Sequence, residues 1–294
     1  MLLLRRAVAA LRRAGHRLTL LAPAASGAAL VGPGTAEVDA LLPWDRADLA
    51  ALLSDEGVPP GPLRDMLAGF DTAIAYTRSA ALLAALEALV PTTLAHDPLP
   101  ASDSGHASVW LARTAASLGA VIDDSELPAP CRATEAERVA AEGVLARLPR
   151  GFLAVHAGSG SPSKNWPARR FAALVERVSG GRSWLLVEGP ADAASVTPLG
   201  AVPGAVVARH LPARILGAVL SRAGVLVGND SGVSHLAAAW DAPTVALFGP
   251  TDPAVWAPLG EHVRVVRSGN GSMEGIGIDE VVAATSAALE LPSG

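Results

Sequence analysis

Two patterns of apolar and polar positions alternate along the C-terminal part of the chain. Short, continuous apolar runs recur six times, and segments with apolar residues three and four apart separate them. Continuous apolar runs joined by helices are typical of parallel strands that are buried on both faces. The pattern predicts strands at 152–158, 183–189, 205–210, 224–229, 244–249 and 263–268, and helices that start near Pro167, Asp192, Pro212, Ser231 and Asp279.

The N-terminal part repeats this pattern less regularly. Residues 119–138 carry prolines and acids without a period, which indicates a linker that leads into a helix at 135–148. We therefore predict two α/β domains, residues 1–133 and 134–294, although the chain opens with a helix where a doubly wound domain normally opens with a strand. The predicted N-terminal strands are 17–22, 38–42, 72–76 and 92–96, and the predicted helices are 2–14, 47–54, 62–69, 80–89 and 106–118.

Composition narrows the class of protein. The chain has 294 residues, 50% of them hydrophobic and 17% charged, which indicates a globular protein large enough for two domains. A net charge of −5 argues against a nucleic-acid partner. The single cysteine, Cys131, excludes an internal disulfide and favours a reducing, cytoplasmic location. Pro23 and Pro33 interrupt the longest uncharged run, 18–36, so no membrane span is expected.

Three strand ends carry polar chemistry, and ligands of open α/β sheets bind beyond the carboxyl ends of strands. The first is HAGSGSPSKNWP, residues 156–167, where Gly158 and Gly160 would let a backbone approach a ligand. Ser159 can donate a hydrogen bond, and Lys164, the only lysine in the chain, supplies a compact charge suited to a phosphate. The alternative is a polar loop that merely caps a helix.

The second strand end is GNDSGVSH, residues 228–235. Ser231 starts a helix whose first amides are unpaired, Gly232 leaves room for an anion there, and His235 lies over the same turn. Asp230 could accept hydrogen bonds from sugar hydroxyls. An Asp/Ser capping pair beside a packed core histidine explains the same residues equally well.

The third strand end is VEGPAD, where Glu188 or Asp192 could hold a ribose, although Asp192 fits a helix cap at least as well. A competing interpretation takes GSGSPS as a dinucleotide-binding fingerprint, but its third glycine is Ser163 and its helix starts late. We find no metal-ligand spacing and no nucleophile elbow, so neither a metal nor a cofactor is expected.

Together these stretches resemble glycosyltransferase family 9, the ADP-heptose:lipopolysaccharide heptosyltransferases. The resemblance is carried by GNDSGVSHLAAAWDAPTVALFGPTDPAVWAP and HAGSGSPSKNWP, with EGPAD and IDEVVAA in the expected order. It implies a GT-B fold, in which two Rossmann-like doubly wound domains face a cleft. It also implies inverting, metal-independent transfer of a sugar, with heptose expected, from a nucleotide-diphosphate donor to a lipid-linked, lipopolysaccharide-type saccharide.

The resemblance also assigns roles to residues of the C-terminal domain. Lys164 would touch the donor phosphates and sugar, and Asp230 would bind sugar hydroxyls. Ser231 and Gly232 would hold the diphosphate, which in ADP-heptose links the nucleoside to the sugar, and His235 would support them. Asp192 is the ribose candidate, and Ser159 belongs to the same donor-binding set.

The N-terminus departs from the family pattern. The family opens with a strand and a Gly-Asp pair whose Asp is taken as the base, and Met1 stands just after the place where that Asp should be. The N-terminal domain is therefore expected to lack its first strand, and the catalytic residue is unknown. A catalytically silent nucleotide-sugar-binding protein is the alternative, and an NAD-dependent dehydrogenase is a weaker one.

The first helix suggests contact with a membrane surface. Arg5 and Arg12 are seven residues apart, as are Arg6 and Arg13, so they would form a basic stripe beside an apolar face. This spacing predicts peripheral contact with the anionic inner membrane, and the alternative is a solvated helix face.

Overall fold

The structure is a computed structural model that describes residues 1–54, 57–101, 104–190 and 192–290, without the side chains of residues 47 and 48. The chain divides into two compact units, with the main boundary between Ser125 and Glu126. The sequence had placed this boundary after residue 133. Gly32–Glu37 and the single residue Leu2 group with the second unit.

The second unit is built on a six-stranded, wholly parallel sheet. All six predicted strands are confirmed, each within one or two residues of its predicted ends. The strands are β5 (Leu153–His156), β6 (Trp184–Glu188), β7 (Ala205–Arg209), β8 (Val225–Asn229), β9 (Thr244–Phe248) and β10 (Val263–Arg267). Their order is β10-β9-β8-β5-β6-β7, which is the order of a doubly wound dinucleotide-binding sheet.

Helices follow the strands of this unit, as predicted. The central strands β5, β8 and β9 are buried along their whole length, and Trp166, Phe171, Trp184 and Phe248 are fully buried in the core. A capping box between Thr134 and Glu137 starts the first of these helices. The helices of this unit are α6 (Glu135–Leu145), α7 (Ala168–Val178), α8 (Ala193–Gly200), α9 (Ala213–Leu220), α10 (Gly232–Ala239), α11 (Pro253–Trp256) and α12 (Ile278–Leu289), with 3-10 turns at Pro162–Lys164 and Met273–Gly275.

The first unit contains four short strands, all of them predicted. The strands are β1 (Thr19–Ala22), β2 (Ala40–Pro43), β3 (Thr72–Tyr76) and β4 (Thr92–His96). Its helices are α1 (Arg5–Arg13), α2 (Ala24–Gly27), α3 (Pro62–Ala68), α4 (Ala80–Glu87) and α5 (Ala107–Ala116), with 3-10 turns at Leu2–Leu4, Ala28–Leu30 and Ala47–Leu53.

These four strands form two separate parallel pairs. Strand β1 pairs with β2, and β3 pairs with β4. Among the residues that the structure describes, no backbone pairing joins the two pairs. A cavity of about 460 Å³ is lined along the full length of both β1 and β3, mainly by apolar side chains. Met1 and Leu4 line the same cavity.

The predicted basic stripe on the first helix is only partly exposed. Arg5 and Arg6 are only 3% and 6% exposed, and the Arg6 guanidinium donates to the Asp123 carbonyl. Arg12 forms an ion pair with Asp39 at 2.7 Å. The helix packs against α5, so its first two arginines are used inside the unit, whereas Arg13 is exposed. Contact of this helix with a membrane surface stays a prediction. Over the described part of the chain, no helix is long and apolar enough to cross a membrane.

Candidate active site

The polar loops predicted from the sequence meet where the order of the six-stranded sheet reverses. Strand β5 lies between β6 and β8, and the chain leaves β5 and β8 in opposite directions along the sheet. This switch point opens a crevice at the carboxyl ends of the two strands, the usual ligand site of such sheets. His156 ends β5, and Asp230 and Ser231 follow the end of β8.

Asn229, the last residue of β8, anchors the loop that follows β5. Its side chain is fully buried, donates to the Ala157 carbonyl at 2.9 Å and accepts from the Trp166 amide at 3.0 Å. The loop also holds itself together, because the Ser159 hydroxyl lies 2.6 Å from Asn165 Oδ1. Ser159 therefore shapes the loop in this structure, and a contact between Ser159 and a donor stays a prediction.

Lys164 reaches across from the β5 loop to the end of β8. Its Nζ lies 3.1 Å from Asp230 Oδ2, and the Thr251 hydroxyl donates to the same oxygen at 2.8 Å. The side chain of Lys164 is 24% exposed and that of Asp230 is 10% exposed, so the pair lies at the surface of the crevice. The structure thus brings together Lys164 and Asp230, the residues that sequence analysis predicted to bind the donor phosphates and sugar.

Helix α10 begins at this crevice with its first turn uncovered. Ser231 is its N-cap residue, but the serine side chain makes no capping hydrogen bond. Gly232 is exposed, and beyond its chain neighbours and the backbone of its own helix no atom lies within 4 Å of the position that a Cβ would take there. The first amides and the positive end of the helix dipole are therefore available to an anion. His235 is half-buried on the same turn, and its amide donates to the Ser231 carbonyl at 3.3 Å.

Asp192 points into the protein. Its Oδ2 lies 2.9 Å from His156 Nε2 and accepts from the Gly189 amide at 2.8 Å. The hydrogen bond from His156 lowers the pKa of the Asp192 carboxyl below its ordinary value, against the opposing effect of burial. Asp192 therefore carries a negative charge near neutral pH, and its proposed contact with a ribose stays a prediction.

Gly158 was expected to let the backbone approach a ligand, but in the structure it makes room for a neighbouring side chain. A Cβ at this position would lie 1.9 Å from Asp192 Oδ1, so the missing side chain makes room for the carboxylate. Gly160 has no atom within 4 Å of its Cβ position and is the glycine that faces open space.

Sequence analysis missed three functional candidates at this site: His156, Asn229 and Thr251. The first two are buried polar residues at the ends of apolar strands, a position that signals either a satisfied core group or a site. Thr251 lies in a turn, and only the tertiary structure shows that it contacts Asp230. The described residues contain no cluster of three or more His, Cys, Asp or Glu that could hold a metal ion.

Comparison with known proteins decides the family. The family model of glycosyltransferase family 9 (heptosyltransferase) matches residues 111–281, which is more than half of the chain and includes every residue of the site described above. The chain belongs to glycosyltransferase family 9. This confirms the resemblance found in the sequence, and it makes the crevice at β5 and β8 the candidate active site of a family member.

A curated relative is similar to part of the chain. Lipooligosaccharide heptosyltransferase 2 from Haemophilus influenzae is 28% identical over 127 residues, which are 38% of this chain and 35% of that protein. The chain therefore matches only about a third of this curated relative by sequence.

Two solved structures show the fold at low identity. A glycosyl transferase of family 9 from Veillonella parvula superposes with a TM-score of 0.79 at 20% identity, over 98% of this chain and 93% of that one. An ADP-heptose lps heptosyltransferase II from E. coli gives a TM-score of 0.74 at 20% identity, over 98% and 94% of the two chains. The expectation of an α/β protein with parallel sheets, as in these family structures, is confirmed.

Proposed function

We propose that the chain is an inverting, metal-independent glycosyltransferase that moves a sugar, with heptose as the first choice, from a nucleotide-diphosphate donor to a lipopolysaccharide-type saccharide. The reaction would take place in the cytoplasm. Membership of family 9 supports the reaction class. The observation that carries the donor assignment is the meeting of Lys164, Asp230 and the uncovered start of α10 at one switch point.

The geometry suits a diphosphate that is joined to a sugar. Amides at the first turn of α10 and the adjacent Lys164 ammonium supply donors and positive charge for the phosphates. The Asp230 carboxylate lies beside them and can accept hydrogen bonds from sugar hydroxyls. ADP-heptose is the proposed donor because relatives of similar fold include an ADP-heptose heptosyltransferase.

The proposal is tested by calorimetry with ADP and ADP-heptose, followed by a mass-based transfer assay with a lipopolysaccharide-type acceptor. Saturable binding of both nucleotides supports the donor site, and acceptor-dependent transfer supports the reaction. Absence of ADP binding would overturn the donor assignment. NADH fluorescence on the same sample tests the dehydrogenase alternative.

A catalytically silent nucleotide-sugar-binding protein is the second candidate, and the ion pairing of two carboxylates early in the chain favours it. Glu37 is fully buried in an ion pair with Arg214, and Asp39 is paired with Arg12. Neither carboxylate is placed to take a proton from an acceptor hydroxyl. Binding of ADP-heptose without transfer would select this candidate.

Another carboxylate of the first unit lies at a strand end. Asp97 directly follows β4 and accepts hydrogen bonds from Nε and Nη2 of Arg78, which lower the pKa of the Asp97 carboxyl. A lowered pKa makes a carboxylate a weaker general base near neutral pH. Asp97 is therefore not proposed as the catalytic base.

We further propose that an additional parallel strand completes the first unit between β1 and β3. In the described residues β1 pairs only with β2, and β3 pairs only with β4. Both β1 and β3 line the same apolar cavity, and these two observations support an additional strand between them. The proposal is tested with a chain that is extended at its N-terminus by an apolar segment ending in Gly-Asp. The extension should raise the hydrogen-exchange protection of both strands and increase transfer, and unchanged protection would contradict the proposal.

A further inference from the structure

His156 connects two of the predicted donor-site residues through the inside of the protein. Its Nε2 lies 2.9 Å from Asp192 Oδ2, and its Nδ1 lies 3.1 Å from Ser231 Oγ. His156 is 3% exposed, and Asp192 and Ser231 are each 8% exposed. The three side chains form a buried line from the start of α8 to the start of α10.

The hydrogen positions along this line follow from the acceptors. The Asp192 carboxylate is ionised near neutral pH and already accepts the Gly189 amide, so it can only accept from the imidazole. Nε2 must therefore carry a hydrogen. In a neutral imidazole Nδ1 is then bare, and it accepts the hydrogen of the Ser231 hydroxyl.

Protonation of the imidazole reverses the second hydrogen bond. Nδ1–H then donates to Ser231 Oγ, and the serine hydrogen is released to point elsewhere. Ser231 makes no capping hydrogen bond to its helix, and open space lies over the neighbouring Gly232. The released hydrogen can therefore donate to an anion at the first turn of α10, with the positive imidazolium behind it.

We propose that binding of the donor diphosphate is coupled to the uptake of one proton by His156, which turns the Ser231 hydroxyl into a donor toward the phosphate. This inference rests on the proposed function, because it assumes that the diphosphate binds at α10. The imidazole gains one proton from solvent and Ser231 keeps its own, so no covalent bond to the donor is formed or broken. His156 is a positioning residue that acts through Ser231.

The charged groups around His156 are one carboxylate in contact with it and two ion pairs at neighbouring strand ends. Asp192 faces it directly. At the end of β8, Asp230 is paired with Lys164, and at the ends of β6 and β7, Glu188 is paired with Arg209 at 2.8 Å.

The remaining charged groups near His156 are exposed or are bonded to other segments. His210 is exposed and acts on Asp192 at longer range. On α7, which packs on β5, Glu176 is exposed, and the arginines are bonded to the 274–279 segment. These arginines are Arg169, Arg170 and Arg177.

Calorimetry of ADP binding in two buffers of different ionisation enthalpy measures the proton uptake. At about pH 7 we expect the unchanged protein to take up close to one more proton per ADP than His156→Asn. The affinity of the unchanged protein should also fall by up to about tenfold per pH unit as the pH rises, and that of His156→Asn should not. His210→Gln is the matched control, and it should keep the proton uptake of the unchanged protein.

A second variant keeps the proposal testable if His156→Asn does not fold. Asp192→Asn leaves the imidazolium without its counter-charge and should also reduce the uptake, and circular dichroism reports whether each variant is folded. Equal proton uptake in the unchanged protein and in a folded His156 or Asp192 variant would overturn the coupling. Failure of the unchanged protein to bind ADP would instead refute the proposed function.

Discussion

At the scale of single residues, the site depends on where one cation and one carboxylate are placed. Lys164 is the only lysine in a chain that otherwise uses arginine. Its ammonium lies at the mouth of the crevice against Asp230, which Thr251 also holds. A compact ammonium can contact a phosphate and a neighbouring carboxylate at once, and this supports its proposed role at the diphosphate.

Removal of this cation should weaken donor binding. We expect Lys164→Ala to reduce the affinity for ADP at least tenfold, about 1.4 kcal/mol, because the phosphates lose their nearest charge. Calorimetry measures the change. Arg169→Ala is the control, since it removes one positive charge from an exposed ion pair with Glu274 outside the crevice. Equal affinities for the two variants would give Lys164 a structural role only.

The carboxylate should discriminate between the nucleotide and the whole donor. We expect Asp230→Asn to leave ADP binding nearly unchanged and to weaken binding of ADP-heptose by about tenfold or more, because only the sugar offers hydroxyls to this oxygen pair. Both ligands are measured on the same preparation. Matching losses for ADP and ADP-heptose would show that Asp230 mainly positions Lys164 and the phosphate loop.

At the scale of elements, the loop after β5 and the start of α8 are fitted to each other. The Asp192 carboxylate lies against Gly158 and Gly189, where a Cβ would be 1.9 Å and 2.7 Å from its oxygens. Asn229 holds the same loop from the other side through the Ala157 carbonyl. The crevice is therefore shaped by contacts among three strand ends.

This fit predicts a difference between two glycines that are two residues apart. We expect Gly158→Ala to destabilise the second unit by about 1–3 kcal/mol and to weaken ADP binding, because Asp192 must move. Gly160→Ala should leave stability nearly unchanged, since its Cβ would meet no atom within 4 Å. Chemical denaturation measures both. Similar stabilities for the two variants would contradict the close contact between Gly158 and Asp192.

At the scale of the whole molecule, the two units differ in how completely their sheets are built. The second unit has six parallel strands in one sheet, with three central strands buried throughout. Among its described residues, the first unit has two separate pairs of strands, and an apolar cavity is lined by β1 and β3. Isolated two-stranded sheets are marginally stable in water, and unpaired edges leave backbone groups without partners.

We therefore expect the first unit to be the less stable one. In native-state hydrogen exchange, amides of β1 to β4 should exchange faster than those of β5, β8 and β9, and a thermal scan should show the first unit unfolding earlier. Mass spectrometry of proteolytic fragments resolves the two groups. Equal protection of both units would show that the gap between β1 and β3 costs no stability.

The sequence by itself determined the strands and most of the helices, and the physical reason is periodicity. The helix predicted at 47–54 is a 3-10 helix, and the short helices α2 and α11 were not predicted. Buried parallel strands need continuous apolar runs and helices need a 3.6-residue pattern, so all ten strands were predicted, with 72–76 and 92–96 matching β3 and β4 end to end. The approximate location of the donor site was also predictable, because polar residues at the carboxyl ends of parallel strands meet at one edge. Lys164, Asp230, Ser231 and Gly232 lie together there.

Only the tertiary structure decided which side chains face each other across that edge. Helical spacing on α1 suggested a basic surface stripe, but packing against α5 buries Arg5 and Arg6. Asp192 fitted either a ribose contact or a helix cap in the sequence, and in the structure it turns inward to His156. His156 and Ser231 are 75 residues apart in the chain. Periodicity indicates only which face of a single element is buried. Contacts such as that between His156 and Ser231 depend on strand order and on the paths of the loops, which bring distant residues together.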